Sequence, residues 1–155
     1  MAQQLWLLRH GDAEPHGIRP DPERRLTERG EAQSRVAGTA LKALKITFDA
    51  VLTSPRVRAR DTARLAVEPL GLEAVDHEPL SGGFDREDAL AVLAGFDADA
   101  KVLLVGHEPD FSQLVHDFTG GRVDMKKGGI AGIRVARTEG ELLVLVRPRE
   151  LELMG

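Results

Sequence analysis

The chain has 155 residues, no cysteine and a formal net charge of −4 at neutral pH. That length suits one domain with a substantial core, residues 1–155, and is too short for two ordinary ones. The charge argues against nucleic acid or an anionic membrane surface as partner, and the missing cysteines exclude disulfides, thiolate catalysis and cysteine-ligated metal.

The first element is LWLL at 5–8, a continuous apolar run of the kind expected for a strand covered on both faces. It has no basic leader and is much shorter than a signal-peptide core. No later run approaches the roughly 20 apolar residues that cross a bilayer, so a cytoplasmic protein is predicted. Residues 28–45 have helical character, AVLTS at 50–54 reads as a second strand, and residues 55–68 read as a helix announced by Ser54 and Pro55. A third helical segment, 85–95, carries Asp85 and Asp88 at capping spacing. VLLV at 102–105 is another buried strand. It leads to a helix over 109–118 that starts at Pro109 and repeats Phe111, Leu114, Val115 and Phe118 at helical spacing. The stretch GIAGIRVARTEGELLVLVRP reads as two strands joined by a turn at Glu139 and Gly140. Strand alternating with helix predicts an α/β three-layer sandwich: a mostly parallel central sheet flanked by helices on both faces, with a C-terminal antiparallel hairpin.

Three ionisable clusters fall at equivalent places in this plan. Arg9 and His10 follow the first strand, Arg58 lies one turn into the helix after the second, and His107 follows VLLVG. Ligands of open α/β sheets bind outside the carboxyl ends of the strands, so all of these side chains are expected in one crevice. Gly11 and Gly106 are expected to let backbone approach a ligand closely. On the second helix Arg56, Arg60 and Arg64 form a stripe that reads as solvated. Arg58 points with Ala59, Thr62, Leu65 and Ala66, where an unpaired cation is costly and Asp61 is a candidate partner. Two arginines and two histidines around one crevice suit a compact dianion such as phosphate, and a neutral imidazole there is also a nucleophile.

These residues carry a resemblance. LLRHG at 7–11, LTSPRVRARDTA at 52–63 and VLLVGHEP at 102–109 resemble the motifs of the histidine phosphatase, or phosphoglycerate mutase-like, superfamily. The short length, RRLTERG at 24–30 and KKGGIAGIRV at 126–135 are similar to its SixA type of phosphohistidine phosphatase. The resemblance implies the phosphoglycerate mutase-like fold, His10 as a transiently phosphorylated nucleophile, Arg9, Arg58 and His107 as phosphoryl ligands, and Arg24 facing the pocket. It implies neither metal nor cofactor. It implies a phosphorylated substrate, with a phosphohistidine-bearing phosphorelay protein as the leading candidate. Many family members place a glutamate where HEPLSGG here has Pro79. Glu78, one residue early, is therefore a candidate for the pocket and for the general acid, alongside Asp12, Asp85 and water. A phosphohistidine substrate tolerates this departure better than a phosphate ester, because its leaving nitrogen can itself carry a proton. A phosphomonoesterase acting on a small metabolite and a non-catalytic phosphate-binding module are the alternative readings.

The remaining histidines read differently. His116 lies beside the apolar stripe of its helix and is expected in solvent, His16 at the pocket rim, and His77 outside the chemistry. The pairs Gly82–Gly83, Gly120–Gly121 and Gly128–Gly129 read as turns.

Overall fold

The computed structural model describes residues 2–154. Six strands form one sheet in the order β3-β2-β4-β1-β5-β6: β1 (Gln3–Arg9), β2 (Ala50–Thr53), β3 (Val75–Asp76), β4 (Lys101–Gly106), β5 (Ile130–Ala136) and β6 (Glu139–Val146). β3, β2, β4 and β1 run parallel, β5 returns antiparallel beside β1, and β6 closes the hairpin. Helices α1 (Glu28–Ala43), α2 (Val57–Val67), α3 (Arg86–Ala94), α4 (Asp110–Thr119) and α5 (Pro148–Met154) cover it. This is the expected α/β architecture, a mostly parallel sheet ending in an antiparallel hairpin.

The continuous apolar runs have a simple cause. Successive strand side chains point to opposite faces, and both faces here are covered. Leu5 and Leu7 of β1 join Val102 and Leu104 of β4 against Phe111, Leu114 and Phe118 of α4. Trp6 and Leu8 join Leu103 and Val105 against Ala37 and Leu41 of α1 and Ala59, Ala63 and Ala66 of α2. Each fully buried leucine contributes about 2 kcal/mol by removing apolar surface from water.

Local chemistry sets the helix starts. Thr27 caps α1 by accepting from the Gly30 amide at 3.1 Å. Asp85 and Asp88 exchange hydrogen bonds as a capping box at the start of α3, as their spacing predicts. The second helix differs from expectation: its cap position is Arg56, without a side-chain cap bond, and Ser54 lies two residues earlier with its hydroxyl accepting from the Arg56 amide at 3.2 Å. The hairpin turn also differs. It falls at Arg137 and Thr138, with Ala136 paired to Glu139, instead of at Glu139 and Gly140. Arg137 takes the positive φ of 63° that such a turn needs. Gly140 is inside β6, where a Cβ would come within 2.6 Å of the Ile133 side chain. The glycine there makes room for packing. Two elements carried too little pattern to be read: the two-residue β3, and α5, whose seven residues begin one residue after β6. Among the described residues, no helix is long and apolar enough to cross a membrane.

Candidate active site

Parallel neighbours β2, β4 and β1 end at one edge of the sheet, and this register brings the predicted residues together. The ladder continues one residue past the strands: the His10 amide donates to Gly106 O at 3.0 Å and the Ser54 amide to Val105 O at 2.9 Å. Arg9, His10, Arg24, Arg58 and His107 all line one cleft of about 540 Å³. His10, Arg24, Arg58 and His107 are buried at its floor.

The two imidazoles lie with ring centroids 5.2 Å apart. His10 Nδ1 is 2.7 Å from the carbonyl oxygen of its neighbour Gly11. A carbonyl only accepts, so Nδ1 carries the proton and Nε2 is left with its lone pair. Burial pushes the His10 pKa down to about 4, with Arg58, Arg9 and Arg24 acting in the same direction against the Gly11 hydrogen bond. The ring is therefore neutral at physiological pH. Burial likewise lowers His107 to about 3, helped by His10, Arg58 and Arg56. Its Nε2 meets the Ser54 hydroxyl at 2.7 Å.

Among the described residues, three buried side-chain nitrogen atoms have no hydrogen-bond partner: Arg9 Nε, Arg58 Nε and His107 Nδ1. Orphaned buried donors are costly, and a bound oxyanion at the strand ends is the group whose chemistry matches them. The other guanidinium contacts fix the arginines in place. Arg9 donates to Met125 O at 2.9 Å. Arg58 donates to the Asp21 carbonyl at 2.8 Å and to its carboxylate at 3.2 Å. Arg24 donates to the same carboxylate at 2.9 Å and to Glu14 O at 2.6 Å. Burial lowers the Arg58 pKa and Asp21 opposes that shift.

Several parts of the cleft follow from no local sequence pattern. The partner of Arg58 is Asp21, from the loop before α1, whereas Asp61 faces Arg64 at 3.9 Å. Arg56, which helical periodicity places on the solvated stripe, instead lines the cleft, binds the Asp21 carboxylate and donates to Ser81 O at 2.7 Å. It precedes the first helical turn, so helical periodicity does not govern its direction. Arg60 does reach outward, to Asp76. Gly11 and Gly106 do not line the cleft. A Cβ on Gly11 would meet Gly30 O at 2.5 Å, and one on Gly106 would meet the Phe111 ring at 2.8 Å, so these glycines admit protein, not ligand. Gly128 donates its amide to Arg9 O and His10 O, which holds the end of β1. Gly82 and Gly83 are cleft-lining.

Glu78, Asp12 and Asp85 also lie outside the cleft lining. Glu78 is exposed and accepts from Ser81, Asp12 accepts from Thr27 and Lys127, and Asp85 caps α3. The carboxylates that do line the cleft are Glu14, Asp21, Glu108 and Asp110. His16 sits at the rim with its Nδ1 3.6 Å from Asp21. His116 is exposed, and His77 packs edge-on against Phe84.

Residues 5–81 match the family model described as Histidine phosphatase superfamily (branch 1). A protein of unassigned function from Picosynechococcus sp. is 35% identical over 96% of this chain and 98% of its own length. A 2,3-bisphosphoglycerate-dependent phosphoglycerate mutase from Parvibaculum lavamentivorans is 36% identical over 57% of this chain, and the match spans 49% of the mutase. Among solved structures, the protein histidine phosphatase SixA complexed with tungstate superposes with a TM-score of 0.86 at 28% identity, over 96% of this chain and 99% of that one. The chain is a phosphatase, and it belongs to the histidine phosphatase superfamily.

Proposed function

We propose that this phosphatase removes phosphoryl groups from phosphohistidine through a phosphorylated His10, working as a single domain over residues 1–155 in the cytoplasm. The observation that carries this reading is the state of the cleft carboxylates. Glu14 is held by Arg19 and the Arg25 amide, Asp21 by Arg24, Arg56 and Arg58, Glu108 by Ser112, and Asp110 by the Phe84 amide. The hydrogen bond from Arg19 holds Glu14 below its ordinary range. Asp21 is also lowered, because its arginine partners outweigh the upward push of burial. Both are anions at neutral pH and poorly suited to donate a proton. An alkoxide leaving group needs such a donor. An imidazole leaving from a phosphoramidate does not, because its ring nitrogen takes a proton from water.

In this mechanism the His10 Nε2 lone pair attacks phosphorus, the substrate P–N bond breaks, and the departing imidazole leaves neutral after gaining one proton. Water then attacks phospho-His10, releasing inorganic phosphate and restoring the neutral ring. Arg9, Arg58 and His107 offer their orphaned N–H groups to the phosphoryl oxygens, and Arg24 adds charge from the cleft wall. Phosphoryl transfer asks mainly for such positioning and charge stabilisation. The likeness to a protein histidine phosphatase over 99% of that chain supports the same substrate class.

The test compares turnover of phosphoimidazole and phosphohistidine peptides with that of p-nitrophenyl phosphate and phosphoserine, with His10→Ala as control. A preference for P–N substrates and acid-labile phosphate trapped on the wild-type protein are expected. A strong preference for an ester, or full activity in His10→Ala, would overturn the reading.

A further inference from the structure

A second cleft, of about 410 Å³, adjoins the first and shares Arg9 and Lys127 with it. Besides Arg9 at the end of β1, its cations come from three places in the chain: Arg29 in the first turn of α1, Lys126 and Lys127 before β5, and Arg147 and Arg149 where β6 passes into α5. Six cations therefore line a space whose only lining carboxylate among the described residues is Asp12, already bound by Thr27 and Lys127. In a chain of net charge −4 this concentration is local, not a consequence of composition.

Folding does not explain these cations. Arg29 sits in the first turn of α1, where the positive end of the helix dipole disfavours a cation. Lys126 and Arg147 are balanced by Asp124 and Glu150 across exposed contacts, which are weak and readily exchanged. The contrast with the first cleft identifies the ligand. There, buried and hydrogen-bonded guanidiniums form a rigid cradle suited to one phosphoryl group. Here, Arg29, Arg147 and Arg149 are exposed, and such solvent-exposed side chains suit several carboxylates on a partner's surface.

We propose that the second cleft docks aspartate and glutamate side chains flanking the phosphorylated histidine of a protein substrate. This rests on the phosphohistidine reading above and adds the class of protein that carries it. The two clefts abut at Arg9 and Lys127, and an extended chain advances about 3.3 Å per residue. Acidic residues two to four positions from the phosphohistidine therefore reach the second cleft while the phosphoryl group occupies the first.

The test uses two fluorescent 12-residue peptides with one central phosphohistidine, flanked by glutamates in one and glutamines in the other. Wild-type protein should turn over the glutamate peptide with about tenfold higher kcat/KM at low salt, an advantage that high salt removes. The double variant Arg29→Gln/Arg149→Gln should lose most of that preference and keep its turnover of phosphoimidazole, which has no flanking residues. Equal kcat/KM for the two peptides in wild-type protein would overturn the proposal. If neither peptide is hydrolysed, the phosphohistidine reading fails, and Kd values from fluorescence anisotropy on His10→Ala decide the docking separately. Tighter binding of the glutamate peptide supports the second cleft, and equal binding rejects it.

Discussion

Ser54 Oγ lies 2.7 Å from Nε2 of His107, and the same oxygen accepts the Arg56 amide at 3.2 Å. With that amide as its donor, the hydroxyl has its own proton to give, and the imidazole nitrogen is the group placed to take it. Ser54 thereby selects the His107 tautomer with hydrogen on Nδ1, the buried atom that has no protein partner. A phosphoryl oxygen in the cleft completes the chain serine, histidine, anion. Removing the hydroxyl frees the imidazole to adopt the wrong tautomer. Ser54→Ala is expected to lower kcat/KM about tenfold and to shift its pH profile, while Ser54→Thr restores part of the loss. An unchanged pH profile would reduce Ser54 to a packing role.

Asp21 is the anion against which Arg24, Arg56 and Arg58 are set. It holds them apart at fixed angles and subtracts one charge from the cleft. Asp21→Asn keeps the shape and removes that charge. Inorganic phosphate should then inhibit several-fold more strongly at low salt, because three guanidiniums face the anion without a competing carboxylate. The folded state should lose about 1 to 3 kcal/mol, since Arg58 is left with its buried charge poorly matched. Phosphate inhibition constants and urea midpoints measure the two effects.

Stability should fall as acid protonates the unfolded chain. His10 and His107 have folded pKa values of about 4 and about 3, against about 6.5 in the unfolded state. The unfolded state therefore binds more protons below pH 6.5, so stability rises with pH through that window and is fully present above it. Between pH 7 and pH 5.5 the two rings together cost about 2 to 3 kcal/mol. Glu14 and Asp21 are also lowered, but their losses begin in the carboxylate range, further down. Urea midpoints at pH 7 and 5.5 check this, and the variant His10→Gln/His107→Gln should show a much flatter dependence.

The strand cores, the helix faces and the four residues Arg9, His10, Arg58 and His107 were legible because each follows from a local rule. Period-two burial makes an apolar run a two-faced strand, and parallel strands deliver their ends to one edge. The rest of the site rests on contacts between segments far apart in sequence, and no local pattern encodes those. Asp21 comes from a loop 37 residues before Arg58. Arg56 lies one residue ahead of its helix, so a 100° rotation per residue misdirects it. Glu78 and Asp12 are carboxylates near the right motifs whose acceptor oxygens are taken up by Ser81, Thr27 and Lys127. The glycines at 11 and 106 were recognisable as close approaches, but sequence gives no sign of what approaches.

That last point has a direct test at the joint between β1 and α1. A Cβ on Gly11 would lie 2.5 Å from Gly30 O, and one on Gly30 would lie 2.0 Å from Asp12 O. Both obstacles are backbone, so no rotamer change relieves them, and the two segments must separate. Gly11 also anchors the site: its amide donates to the Thr62 hydroxyl at 3.0 Å, and Thr62 in turn donates to Arg58 O at 2.7 Å. Its carbonyl fixes the His10 ring. Gly11→Ala should therefore cost at least the 1 to 3 kcal/mol typical of overpacking and misplace both His10 and Arg58. Gly30→Ala should destabilise as much but disturb catalysis less, because its obstacle is Asp12, outside the first cleft. Thermal melts alongside kcat/KM separate the two, and equal catalytic losses at equal stability would show that Gly11 serves the joint alone.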